Sequence, residues 1–383
     1  MGKLNEVKRM DQSPSQTPQE GRKVGISPQA RRHNDLRRAA IAAHPTLKEI
    51  SGSDWRTVFA LPIILAAHWG MAWAVSDAPI WVIFVAAFFW GQIAIHAAGS
   101  LVHETAHKLI FRADRPKLLF DLGLEWILSS YAKQLTYQHE HITSHHPFIG
   151  DYERDYEHED ICAFQSRMQL RHDNPVVQHF LTALTLFIHL LPLGFVIGDE
   201  VLPRLNKWLS GRPQKDPERD VRSTQPKPWE VRLFIAVSLV SNLVLLAVLG
   251  PWALLYHLWA LSLFLGKFGI WNLGQSLSEH EGTNDEAPSR STYSWINIPL
   301  FNTGYHNEHH TFPNVAWTRL PVLTRTAPEV FNVRAEKSYF GYWLDHVRGD
   351  FTASRKSPLH DQDNTARCNG QGAADQGAGA LSK

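Results

Sequence analysis

From Val58 to Val75, and again from Pro79 to Val102, the chain carries no Lys, Arg, Asp or Glu. Runs of about 18 or more such residues are long enough to cross a hydrocarbon layer about 30 Å thick as helix. Ser76-Asp77-Ala78-Pro79 between them supplies a tight turn, so the two runs predict a helical hairpin. Leu233 to Gly266 is likewise free of charge, with Gly250-Pro251 in its middle. At 1.5 Å per residue it would reach about 51 Å as a single helix, too long for one crossing. It predicts a second hairpin, with spans at about 233–250 and 251–270 beside the first pair at about 58–75 and 79–102.

A fifth apolar stretch, Phe180 to Gly198, contains His189 and Pro192. The histidine-rich segments on either side of it, near 139–146 and 280–310, must face one side of the membrane if they build one site. That requires an even number of crossings between them, which the second hairpin already provides. Residues 180–198 are therefore read as an interfacial helix. Arg204, Lys207, Arg212, Lys215, Arg219, Arg222 and Lys227 crowd the loop before the second hairpin, and cytoplasmic loops carry such an excess of cations. The reading is an all-α integral membrane protein of four transmembrane helices in two hairpins, with an interfacial helix and a histidine-rich cytosolic cap. It comprises a polar, basic arm over residues 1–39, a membrane domain over 40–351 and a solvated tail over 352–383. The location expected is a bacterial inner membrane or the endoplasmic reticulum, with the active site on the cytoplasmic side. No apolar stretch near the start resembles a secretory signal.

Composition adds two exclusions and one anomaly. With 38 Lys+Arg against 37 Asp+Glu, the chain lacks the basic surface that nucleic acid requires. Two cysteines, Cys162 and Cys368, build neither a disulfide framework nor a zinc ribbon. The anomaly is histidine: 21 residues, ten of which fall in four short clusters.

His103-Glu104-Thr105-Ala106-His107 directly follows the second span, and four-residue spacing places both imidazoles on one helical face. His139-Glu140-His141-Ile142-Thr143-Ser144-His145-His146 sets four imidazoles within eight residues, with His141 and His145 again on one face. His306-Asn307-Glu308-His309-His310 has i, i+3, i+4 spacing, and His280 follows the second hairpin. One catalytic zinc takes three protein ligands; this many clustered imidazoles is the complement of two metals with four or five each. Imidazole suits iron, copper and zinc, and the scarcity of thiolate and thioether ligands points to two redox irons. His103-Glu104-x-x-His107 alone also reads as a zinc-protease motif with Glu104 as general base, but that reading leaves most of the histidines unexplained.

The clusters resemble the three histidine boxes of the membrane fatty acid desaturase superfamily, and are most similar in pattern to sphingolipid Δ4-desaturases. Asn302-Thr303-Gly304-Tyr305-His306-Asn307-Glu308-His309-His310-Thr311-Phe312-Pro313-Asn314 carries the likeness, with Ser278-Glu279-His280 and Ala43-His44-Pro45-Thr46-Leu47-Lys48-Glu49-Ile50. The resemblance covers roughly 40–335. It implies a four-span fold with a cytosolic di-iron cap, O2 as co-substrate, and cytochrome b5 or a ferredoxin as a separate electron donor. The implied reaction introduces a C=C bond into a fatty acyl or sphingolipid chain. The scaffold also serves hydroxylases, ketolases and desaturases of small metabolites such as dihydrorhizobitoxine. The metal ligands expected are His103, His107, His141, His145, His146, His280, His306, His309 and His310, with His139 as a further candidate. Glu104, Glu140 and Glu308 are candidate partners to imidazole N–H groups, as is the acidic run Asp151, Glu153, Asp155, Glu157, Glu159 and Asp160. A tenth ligand at Ser276, Gln275 or Asn272 is left open. The second box departs from the sphingolipid pattern, with three residues between His141 and His145 instead of two.

Overall fold

The structure, a computed structural model, describes residues 25–151, 154–157, 174–202, 204, 205, 208 and 224–354. Among these the chain is helical, and β-pairing is confined to isolated bridges such as Gly52 with Val315.

The first helix corrects the expected arm. Residues 1–24 lie outside the described residues, but α1 (Pro28–Ala43) begins well before residue 39. Ser27 caps it, its Oγ accepting the Ala30 N–H at 3.1 Å, and Pro28 occupies the first turn, where its missing N–H costs nothing. The Ser27 hydroxyl also donates to the Ile149 carbonyl, tying α1 to the segment after the second histidine cluster. At the other end, α10 (Tyr339–Ser354) runs past the expected boundary at 351, and residues from 355 onward lie outside the described set.

Among the described residues three helical stretches are long and apolar enough to cross a membrane: Trp55–Ala74, Ile80–Ala106 and Pro228–Leu265. The first is a 3₁₀ turn leading into α2 (Ala60–Ala74). The second, α3 (Ile80–Ala106), contains a π turn at Ala87–Gly91 and follows the predicted tight turn directly. Gly91 sits where α3 presses on the third stretch, since a Cβ there would lie 2.5 Å from that of Ala260. The third, α7 (Pro228–Leu265), is interrupted at Gly250, whose φ of 84° and ψ of 179° are non-helical. Glycine adopts that backbone freely, and Pro251 restarts the helix as a first-turn residue. The outward faces of these helices are apolar and exposed at Ile63, Trp73, Trp81, Phe89, Leu243 and Val248, the surface that lipid covers.

The expected 180–198 helix is shifted and broken. α6 (Pro175–His189), capped by Asn174, is 15 residues long. At about 22 Å it falls short of the hydrocarbon thickness. Leu193, with a φ of 63°, then turns the chain. α4 (Asp114–Leu128) packs among the spans, with the buried Glu125 accepting hydrogen bonds from Ser130 and from Ser238 of α7. Between the helices His68 Nε2 lies 2.9 Å from His257 Nδ1, both rings buried.

Candidate metal centre

Four elements bring the histidines together at one end of the spans. α3 carries His103 on its last turn, and His107 caps its C-terminus. α5 (Lys133–Glu140) continues into a π-helical turn at His141–His145 and on to His146. α8 (Asn272–His280) delivers His280 at its C-terminal residue. α9 (His306–Thr311) is buried from end to end and carries His306, His309 and His310.

The rings sort into two groups whose ligand atoms lie within 4.8 Å of one another: His103, His107, His141, His146 and His309 in one, and His145, His280, His306 and His310 in the other. All nine expected residues are brought together. His139 joins neither group; its Nδ1 faces Thr224 Oγ1 at 2.8 Å. His141 and His145 share a face as expected, their rings stacked with centroids 5.2 Å apart, although His145 belongs to the other group. Within its own group His141 pairs with His146, their Nε2 atoms 3.1 Å apart.

The inward nitrogens fit metal ions. His146 Nε2 lies 3.1 Å from His309 Nε2, His145 Nε2 3.1 Å from His310 Nε2, and His306 Nε2 2.9 Å from His280 Nε2. Two nitrogens about 2.1 Å from one ion at right angles stand about 3 Å apart. His103 Nε2 and His107 Nε2 are buried with no hydrogen-bond partner among the described residues, which is costly unless something else takes their lone pairs.

Outward nitrogens are held by carboxylates. Glu157 Oε1 lies 2.8 Å from His141 Nδ1, Asp155 Oδ1 2.8 Å from His145 Nδ1, and Glu279 Oε2 3.3 Å from His306 Nδ1. Such contacts set the tautomer and aim Nε2 inward. Burial, then neighbouring imidazoles, depresses the pKa values of His107, His141, His146, His306, His309 and His310 well below 6.5, which favours the neutral, ligating form. For His145 burial acts in the same direction but is overcome by Glu157 and Asp155, which raise it to about 9.

The other predicted carboxylates do different work. Glu104 is buried, its Oε2 accepting the Trp317 backbone N–H at 3.1 Å, with Oε1 4.0 Å from His103 Nδ1. Glu308 holds α9 in place: Ser291 Oγ donates to Oε2 and Tyr293 Oη to Oε1, each at 2.6 Å, and Thr324 donates to Oε1 as well. It touches hydroxyls and not imidazoles. Glu140 is half-buried at the end of α5. Gln275 donates to Thr303 and Asn272 to the Phe264 carbonyl.

One residue was missed by the sequence reading. His33, on α1, is buried, and its ring stacks on His310 with centroids 5.2 Å apart. Its Nδ1 lies 3.0 Å from Thr311 Oγ1 and its Nε2 3.2 Å from Ser289 Oγ. The Ser27-Pro28 helix start is the signal that would have placed it on an ordered element.

Apolar helices of spanning length, capped by two buried polyhistidine groups that fit metal ions, define an integral-membrane enzyme class. The fatty acid desaturase family model matches residues 79–343, and the chain belongs to that family. It is similar to a sphingolipid delta(4)-desaturase DES1-like protein of Oryza sativa subsp. japonica, with 27% identity over 86% of this chain and 92% of the relative. A sphingolipid delta(4)-desaturase of Komagataella phaffii shares 24% identity over 78% of this chain and 77% of its own. Human sphingolipid delta(4)-desaturase DES1 shares 24% over 83% and 88%. The protein is thus an oxidoreductase of the desaturase type, as its histidine boxes indicated.

Proposed function

We propose that the protein is an oxygen-dependent di-iron desaturase that introduces a C=C bond into a fatty acyl or sphingolipid chain. The observation that carries this reading is the sorting of nine histidines into adjacent groups of five and four. Two irons held by these rings would supply the oxidising power to take two hydrogens from adjacent unactivated carbons, drawing on O2 and on electrons from a separate donor such as cytochrome b5 or a ferredoxin.

The chain's own residues perform the rest. Glu157, Asp155 and Glu279 orient rings, while Glu308 and its three hydroxyl donors keep α9 at its depth. A cleft of about 410 Å³ lies between the start of the first apolar helix and the segment near Trp317. Its lining combines the polar Asp54, Arg56, Thr57 and Thr318 with the apolar Phe59, Ile63 and Phe301. That mixed lining is compatible with a lipid that carries a polar head. Trp317 joins this cleft to the centre, since its backbone N–H bonds Glu104, the neighbour of His103. The break at Gly250 and the cation-rich segment before α7 support a reading of four crossings in two hairpins, with the histidines on the cytoplasmic side.

The test is metal content and product. Detergent-purified protein is expected to hold two irons per chain, and His309→Ala to lose one or both together with turnover. Saturated sphingolipids and fatty acyl lipids supplied with O2 and a reductant should lose two hydrogens. Gain of an oxygen atom instead would reassign the enzyme as a hydroxylase. One zinc per chain, indifferent to His309→Ala, would favour the protease motif and overturn the proposal.

A further inference from the structure

The two histidine groups are unequal. One offers five imidazoles and the other four, so the second is a donor short of the first. The sequence left a tenth ligand open at Ser276, Gln275 or Asn272; Gln275 Nε2 donates to Thr303 and Asn272 Nδ2 to the Phe264 carbonyl.

Glu157 stands at this gap. Its Oε1 lies 2.8 Å from His141 Nδ1, an outward nitrogen of the five-histidine group. Its Oε2 lies 3.4 Å from His145 Nε2 and 3.9 Å from His280 Nε2, both inward nitrogens of the four-histidine group. Ligand atoms about 2.1 Å from a shared ion are separated by about 3.0 Å at right angles and about 4.2 Å when opposite, so both distances fall in the ligating range. Glu157, His141 and His145 also form a metal-capable set of their own. The other two carboxylates beside the rings, Asp155 and Glu279, meet outward nitrogens at His145 Nδ1 and His306 Nδ1. Glu157 reaches inward nitrogens, and its side chain is only 17% exposed.

Resting on the two-metal reading above, we infer that Glu157 is the fifth protein ligand of the four-histidine metal, through Oε2. Its other oxygen orients His141, a ligand of the neighbouring metal, so one carboxylate links the two sites. The two metals are then chemically distinct. One has an all-imidazole shell, and the other carries a hard, anionic oxygen that offsets part of the ion's charge and favours harder cations.

Cobalt(II) binding to the full-length, metal-stripped protein in detergent tests this, because cobalt absorption bands report coordination number. Wild type is expected to bind two ions. Glu157→Ala should weaken the four-histidine ion at least ~100-fold, beyond the ~10–100-fold typical of an outer hydrogen-bond partner, and the five-histidine ion only within that range, through the lost contact to His141. Added formate, small enough to occupy the vacated oxygen position, should restore the second ion and its bands. Asp155→Asn should weaken binding without formate rescue. Glu157→Gln, nearly isosteric and checked for helicity by circular dichroism, guards against misfolding and should lose the same ion. Two ions at wild-type affinity with unchanged bands in both Glu157 variants would overturn the assignment. So would selective loss of the five-histidine ion, which would make Glu157 only a positioning residue for His141. Fewer than two ions in wild type would instead overturn the two-metal reading, and this inference with it.

Discussion

His141 and His146 are five residues apart in sequence, yet their Nε2 atoms are 3.1 Å apart. In an α-helix residues five apart point about 140° away from each other. The π turn at His141–His145, closed by the His146 N–H on the His141 carbonyl, absorbs one residue and returns the two rings to one side. The extra residue that separates this box from the sphingolipid pattern is therefore accommodated in the backbone, and His145 is left facing the second group. Deleting the partly exposed Ile142 should let the turn relax to α-helix with both pairings kept, so the variant should retain wild-type metal content. Loss of both ions on this deletion would show that the π turn is itself required.

His33 reaches the centre from outside the family-matched region. Removing its ring leaves a gap beside His310, takes the partner of Thr311 Oγ1 and leaves Ser289 only its contact to Asn307. His33→Ala should hold its metals but with affinity lowered ~10–100-fold, as expected for an outer partner of a ligand. Metal competition with a chelator measures this. An unchanged affinity would reduce α1 to a passive cover.

Glu308 accepts from three hydroxyls inside a buried helix, and burial pushes its pKa above the usual carboxylate range. Glu308→Gln turns an amide NH2 toward donors that need an acceptor, a mismatch that costs about 1–3 kcal/mol. Because α9 supplies ligands to both groups, the lower thermal midpoint should come with weaker binding of both metals. Weakening at one site alone would contradict this role.

Asp54 anchors the start of the first apolar helix and shapes the cleft. Its carboxylate accepts from Arg56 N, Nε and Nη2, at 3.2, 2.8 and 2.7 Å, and from Thr318 Oγ1 at 3.0 Å. The Arg56 hydrogen bonds lead in holding its pKa down to about 2. A depressed carboxylate pKa contributes stability above its unfolded value and loses it as pH falls through the folded one. Asp54→Asn should therefore cost about 1–2 kcal/mol at neutral pH, and that deficit should shrink between pH 4 and 2. Thermal midpoints of variant and wild type across pH check it; a constant deficit would point to shape rather than charge.

Much was legible in the order of residues alone. Charge-free runs mark helices that lipid must surround, because an unpaired charge in hydrocarbon is expensive and a long apolar helix satisfies its own backbone. Four-residue and three-residue histidine spacings predict which rings lie along one helix, since that periodicity is local. Gly250-Pro251 announces a break for the same reason. The assignment of rings to two groups is not local. His103 meets His309, and His145 meets His310, across more than 160 positions. Only the packing of α3, α5, α8 and α9 decides such partners. The acidic run that holds Asp155 and Glu157 was legible as a source of imidazole partners, but which of its carboxylates meets which ring was not; Glu279 was not singled out, and His33 read as an arm residue. Helix geometry determines direction within one element, whereas the partner opposite a side chain depends on how separate elements dock, and no spacing along the chain records that.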